Sequence, residues 1–94
     1  MEGGFDHVVE GHTVGGTNTA GNSIFNGDAQ DVANWIQSSQ TTDGIVRGNL
    51  NIAYVNYAGD TVGWSAAGQY TSVYTVITDL MGNLVTAFPG FPLP

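Results

Sequence analysis

His7 and His12 are the two histidines of the sequence, five positions apart in its Gly-rich opening stretch. Imidazole is the usual proton carrier near neutral pH, since its ordinary pKa is about 6.5. Two imidazoles can act as general base and general acid, and one reaction that needs both is cleavage of a phosphodiester by its neighbouring 2′-hydroxyl. Two other readings of the same residues stay open. One or both are surface loop residues, or the pair joins Asp6 and Glu10 as zinc ligands. The i, i+5 spacing does not put both rings on one helical face, which counts against a metal pair.

The last β-like segment offers a second set. Thr86 and Phe88 differ by two, so on a strand they face the same side, with Val85 and Ala87 on the other. A threonine hydroxyl on an open sheet face can donate to a phosphate oxygen, and an aromatic two residues on can stack a base. The alternative is a half-buried pair with no ligand. Elsewhere the chemistry thins out. No nucleophile elbow appears, and Gly15-Gly16 is not followed by the Lys-Ser/Thr of a phosphate loop. Asp28 and Asp31 are explained as helix cap and first-turn charge, Asp43 and Asp60 as turn residues, and Trp35 and Trp64 as core.

Something must position these groups, and 94 residues allow one domain to do it, spanning 1–94. Hydrophobic residues make up 41% of the chain, enough for one core. There is no cysteine, so disulfides and thiolate metal sites are excluded. No apolar run reaches the roughly 18 residues of a membrane span. The opening residues lack the basic and apolar regions of a signal peptide, so export would depend on a longer protein. Eight acids face one base, Arg47, for a net charge of −7. That balance disfavours tight binding to a phosphate backbone and favours a basic protein partner.

The expected fold class is α+β: one main helix packed on an antiparallel sheet of three to five strands. Residues 1–27 read as a Gly/Thr/Asn-rich loop region in which Val8 and Val9 form a single helical turn or a short strand. The helix is expected over 28–38, with Asp28 as N-cap and Val32, Trp35 and Ile36 on one face. The sheet is expected over 45–89, in about four strands. It closes with a hairpin whose turn, Leu80-Met81-Gly82-Asn83, places Gly where a positive φ is needed.

The segment His7-Val8-Val9-Glu10-Gly11-His12-Thr13-Val14-Gly15-Gly16 resembles the first motif of bacterial EndoU-type ribonuclease domains, where a His opens a short segment leading into a Gly-Gly turn. Ser23-Ile24-Phe25, the helix with Trp35, and the ending Gly82-Asn83-Leu84-Val85-Thr86-Ala87-Phe88-Pro89 follow in the family's order. In that family and in the related ribonuclease A-like toxins, the closing strand carries Thr-x-Tyr or Thr-x-Phe before Pro. The resemblance touches both ends of the chain and is weak between Arg47 and Tyr70.

The resemblance implies a toxin domain of a larger polymorphic or contact-dependent inhibition protein. Such a domain is secreted or delivered into neighbouring cells, acts in the target cytoplasm and is neutralised by an immunity protein. It implies RNA cleavage through a 2′,3′-cyclic phosphate, without metal or other cofactor. By position it makes His7 the first catalytic His, Thr86 the holder of the phosphate and Phe88 the aromatic position; with His12 and Arg47 as stand-ins and Ser23 beside them, the candidate site is His7, His12 and Thr86 for catalysis and Phe88, Arg47 and Ser23 for substrate binding. Two departures stand out. Thr17 and Asn18 occupy the place of the family's second His, and the chain has no Lys where the family has one near Asn22. His12 and Arg47 are the replacements on offer. Two rival classes remain: a non-catalytic acidic protein-binding module on the same scaffold, and a structural or adhesive domain of a secreted bacterial protein.

Overall fold

A computed structural model describes residues 2–14, 16, 22–39, 44–46, 50–65 and 67–91. The chain is α+β, with elements in the order α1 (Glu2–His12), β1 (Ile24–Phe25), α2 (Ala29–Gln37), β2 (Ile45–Val46), β3 (Ile52–Tyr57), β4 (Gly63–Trp64), β5 (Tyr70–Thr71), β6 (Val73–Thr78) and β7 (Leu84–Pro89). The strands form two antiparallel sheets, one ordered β1-β4-β5 and one ordered β2-β3-β6-β7.

The helix expected over 28–38 is α2. Asp28 caps it with a reciprocal box: its carboxylate accepts from the Asp31 N–H at 3.0 Å, and the Asp31 carboxylate accepts from the Asp28 N–H at 3.3 Å. Two orphan N–H groups of the first turn are satisfied in this way. Val32 is fully buried, while Trp35 and Ile36 pack half-buried against the same core. Trp35 also accepts the Tyr74 hydroxyl on its main-chain oxygen at 2.9 Å, which fixes α2 over β6. Burial raises the pKa of that hydroxyl, so it stays a donor at neutral pH.

The N-terminal part departs from expectation. Residues 2–12 form an 11-residue helix rather than a loop with one turn. Gly3, Gly4 and Gly11 disfavour a helix by local propensity. Tertiary packing overrides them, because Val8 is fully buried in the core and Phe5 packs beside it. Gly4 allows the close approach, since a Cβ there would collide with the Leu84 carbonyl of β7. The strand reading needs correction too. The stretch expected over 45–89 as one sheet divides between two: β2, β3, β6 and β7 form the larger one, while β4 and β5 join β1 in a separate small sheet.

One core lies between the helices and the four-stranded sheet: Val8, Phe25, Val32, Val62, Tyr74, Val76, Leu84 and Ala87. Register separates the two faces of that sheet. Tyr54, Val76 and Ala87 stand in one cross-strand row on the core side; Val55, Thr75 and Phe88 stand in a row on the outer side. A bulge sets this apart from simple alternation. Thr78 pairs with Leu84 and Ile77 with Thr86, so Val85 is the extra residue. Leu84 therefore turns into the core while Thr86 and Phe88 face outward.

The closing hairpin is held by Asp79. Its carboxylate accepts from the N–H groups of Met81 and Asn83, both at 2.9 Å, and from the Asn83 side chain at 3.1 Å. Gly82 has φ 86°, as the turn requires. The Asn83 N–H, first among these bonds, pulls the Asp79 pKa below its ordinary 3.8. A depressed folded pKa means that the stabilisation is present above the unfolded value and is lost as pH falls through the folded one. We expect an NMR titration of the Asp79 carboxyl to show its midpoint below 3.8, with Asp79→Ala fraying the turn amides. A midpoint at or above the ordinary value would count against this account.

Candidate catalytic site

α1 runs alongside β7, in the same direction, pinned at Gly4 against Leu84 and at His12 against Phe88. Its C-terminal end is closed by three hydrogen bonds, two of them to carbonyls of the last turn, which a helix leaves without intrahelical partners. The Thr13 hydroxyl donates to the Val9 carbonyl, the Gly16 N–H to the Thr13 carbonyl at 3.0 Å, and the Asn22 amide to the Gly11 carbonyl at 2.9 Å. The last of these brings residues 22 and 23 against the helix end. The His12 ring then meets the Ser23 main-chain oxygen, with Nδ1 at 2.7 Å. A carbonyl only accepts, so Nδ1 carries the proton and Nε2 of the neutral ring carries the lone pair.

His7 and His12 lie edge to face, with ring centroids 5.7 Å apart and planes at 66°. The five-residue spacing does not by itself predict this contact. His12 is half-buried and His7 exposed. On its other side His12 meets Phe88, centroid to centroid at 5.9 Å. Burial lowers the His12 pKa below 6.5; the Ser23 carbonyl opposes that shift, and a charge on His7 adds to it. Hence His12 is mostly neutral at pH 7.

Thr86 stands on the same strand face as Phe88. Its Oγ1 is buried and, among the described residues, has no hydrogen-bond partner. An unpaired hydroxyl in such a place costs about 1–3 kcal/mol. The neighbouring Thr75, paired with Phe88 across β6 and β7, spends its own hydroxyl on the Gly90 carbonyl at 2.8 Å.

Of the residues singled out in the sequence, His7, His12 and Phe88 thus form one continuous run of ring contacts, and Thr86 sits one step along the same strand face. Ser23 contributes through its main chain, as the group that orients His12. Arg47 lies outside the described residues, as do Thr17 and Asn18. Among the described residues no group of three or more His, Cys, Asp or Glu is placed to hold a metal. Asn22 and Thr75 do work that nothing in their sequence context announces, and Ser23 acts through its main chain; all three bonds involve main-chain carbonyls, and Thr75 hides in a β-branched run. A cavity of about 440 Å³ opens beside α1, between Val9, Thr13 and Asp28, and neither histidine lines it.

Chemically, the arrangement brings together a neutral imidazole with a free Nε2, a second imidazole beside it, and an aromatic ring. An unspent hydroxyl stands on the same strand face. No protein-family model, curated protein or solved structure matches the chain.

Proposed function

We propose that the protein is a metal-independent ribonuclease domain of the EndoU or ribonuclease A-like toxin type, cleaving RNA through a 2′,3′-cyclic phosphate. The observation that carries this reading is the run His7–His12–Phe88 beside an orphaned Thr86 hydroxyl. In this mechanism Nε2 of His12 takes the proton from the 2′-hydroxyl, and the freed oxygen bonds to phosphorus. The bond from phosphorus to the 5′-oxygen breaks, and the His7 imidazolium gives that oxygen its proton. The Thr86 hydroxyl donates to a non-bridging oxygen as charge builds there. Phe88 stacks on a flanking base. Within this reading His12 fills the role of the family's second His, and the domain is delivered as part of a larger protein to act in the cytoplasm of a target cell.

The direct test is incubation with total RNA and with a defined tRNA set in the presence of EDTA, beside a His7→Ala control. The expected result is cleavage that leaves 2′,3′-cyclic phosphate ends and is lost in the control. His7 is exposed, so the substitution leaves the fold intact. Equal product from parent and control would overturn the reading.

One observation favours a second reading, a non-catalytic module that binds a basic protein: the net charge of −7 with a single Lys or Arg. The same surface would serve an immunity protein if the first reading holds. Association through it should be fast in dilute salt and slow as salt screens the charges, over a Debye length near 10 Å at 0.1 M. An on-rate indifferent to salt would remove this argument.

A further inference from the structure

Beyond Phe88, the outer face of the four-stranded sheet carries a second aromatic position. Tyr57 ends β3 and Phe91 follows β7; they are 74% and 61% exposed. Their rings meet edge to face, with centroids 6.2 Å apart. Tyr57 pairs with Val73, two residues along β6 from the Thr75 that pairs with Phe88. Alternation therefore puts Tyr57, Thr86 and Phe88 on one face. Two strand spacings and one two-residue step separate Tyr57 from Phe88 by about 12 Å. A short stretch of extended single strand spans that gap.

The pair is held in place rather than left loose. The Gly90 N–H donates to the Val73 carbonyl at 2.7 Å, and the Gly90 carbonyl accepts from the Thr75 hydroxyl at 2.8 Å. Gly90 has φ 99°, a conformation that glycine alone adopts at little cost. Thr75 is fully buried, so this anchor is screened from water.

Charge restricts the occupant. With one Lys or Arg in the whole sequence, the protein has little with which to grip a phosphate backbone. Stacking on aromatic rings needs no charge and no particular base, because every base has a π-face. The face is continuous with Phe88 and the histidines, which reach it from the β7 edge.

We infer that Tyr57 and Phe91 form a second base-stacking position, and that the substrate is single-stranded RNA extending past the cleaved bond and held through its bases. This rests on the ribonuclease reading of His7 and His12. It also reconciles an acidic chain with a nucleic-acid substrate.

The test separates the two claims. A labelled 2′-O-methyl hexanucleotide, which lacks the attacking hydroxyl, reports binding by anisotropy; a ribodinucleotide and the ribohexanucleotide report cleavage by the parent protein. Tyr57→Ala and Phe91→Ala should each weaken hexanucleotide binding about 5- to 100-fold. Tyr70→Ala removes a comparably exposed tyrosine from the other sheet and should bind as the parent does. The slope of log affinity against log salt should be no steeper than about −0.7, one phosphate's worth. Binding that is undetectable in the parent, unchanged in both variants or equally weakened by Tyr70→Ala overturns the stacking position. Cleavage of neither substrate by the parent overturns the ribonuclease reading, whatever the binding result.

Discussion

His12→Ala should lower the rate of RNA cleavage by about 10²–10⁴, the usual contribution of a positioned general base. The size follows from how completely the ring is committed. Nδ1 is spent on Ser23, and one flank of the ring lies against Phe88. Nε2 is what remains, and no other described side chain offers a neutral base in contact with His7. The pH profile distinguishes loss of the base from loss of packing. Burial lowers the His12 pKa, so the acidic limb of the parent profile should lie below pH 6.5. The same depression means that His12 contributes stability in full above its unfolded pKa, and that this is lost as pH falls through the folded one. In His12→Ala the acidic limb should disappear along with the rate. A variant that retains the limb, or retains the parent rate, would show that another group is the base.

Phe25→Ala should cost about 3–5 kcal/mol of folding stability, out of a total on the order of 5–10 kcal/mol for a domain of this size. Phe25 is fully buried. It stacks on Trp35 at 5.5 Å, meets Tyr74 edge to face at 6.5 Å, and bridges to Thr13 at the end of α1. Its removal therefore opens a void where both helices and the sheet meet. Trp35→Ala should cost less, because Trp35 is only half-buried and neighbouring side chains can settle into its space. Urea denaturation of both variants is the measurement. A Phe25→Ala midpoint within error of the parent would mean that the core does not centre there. Because Thr13 and Ser23 flank the same contact, the variant should also lose the His12 environment, visible as a rise of its pKa toward the ordinary value.

The sequence exposed those parts of the fold that follow local rules. Asp28, Asp31 and the Val32-Trp35-Ile36 stripe specify α2 within a few residues of each other, and the structure keeps all of these roles. Gly82 marks the hairpin because its backbone conformation is one that side chains resist. The helix α1 was hidden because three glycines lower its local propensity, and its apolar stripe gains its meaning from β7, some eighty positions away. β1, β4 and β5 are two residues long, too short for alternation to appear. At the site, Thr86 and Phe88 are legible through the period of a strand. The approach of His7 to His12 and the grip of Ser23 on Nδ1 are not, since one crosses helical faces and the other uses a main-chain oxygen that every residue has.

The pairing of α1 with β7 has a consequence for the order in which the molecule is made. During synthesis the histidines leave the ribosome before Thr86 and Phe88, with a long stretch of chain between them. Until β7 emerges, α1 lacks the surface that Gly4 and His12 rest on, and by its own propensity it has little reason to be helical. A nascent chain therefore carries the proton-transfer groups without the strand that would sit beside them. Any activity of the site appears only once β7 has emerged and packed beside α1. A partner that intercepts β7 as it emerges would meet every copy before the site could assemble.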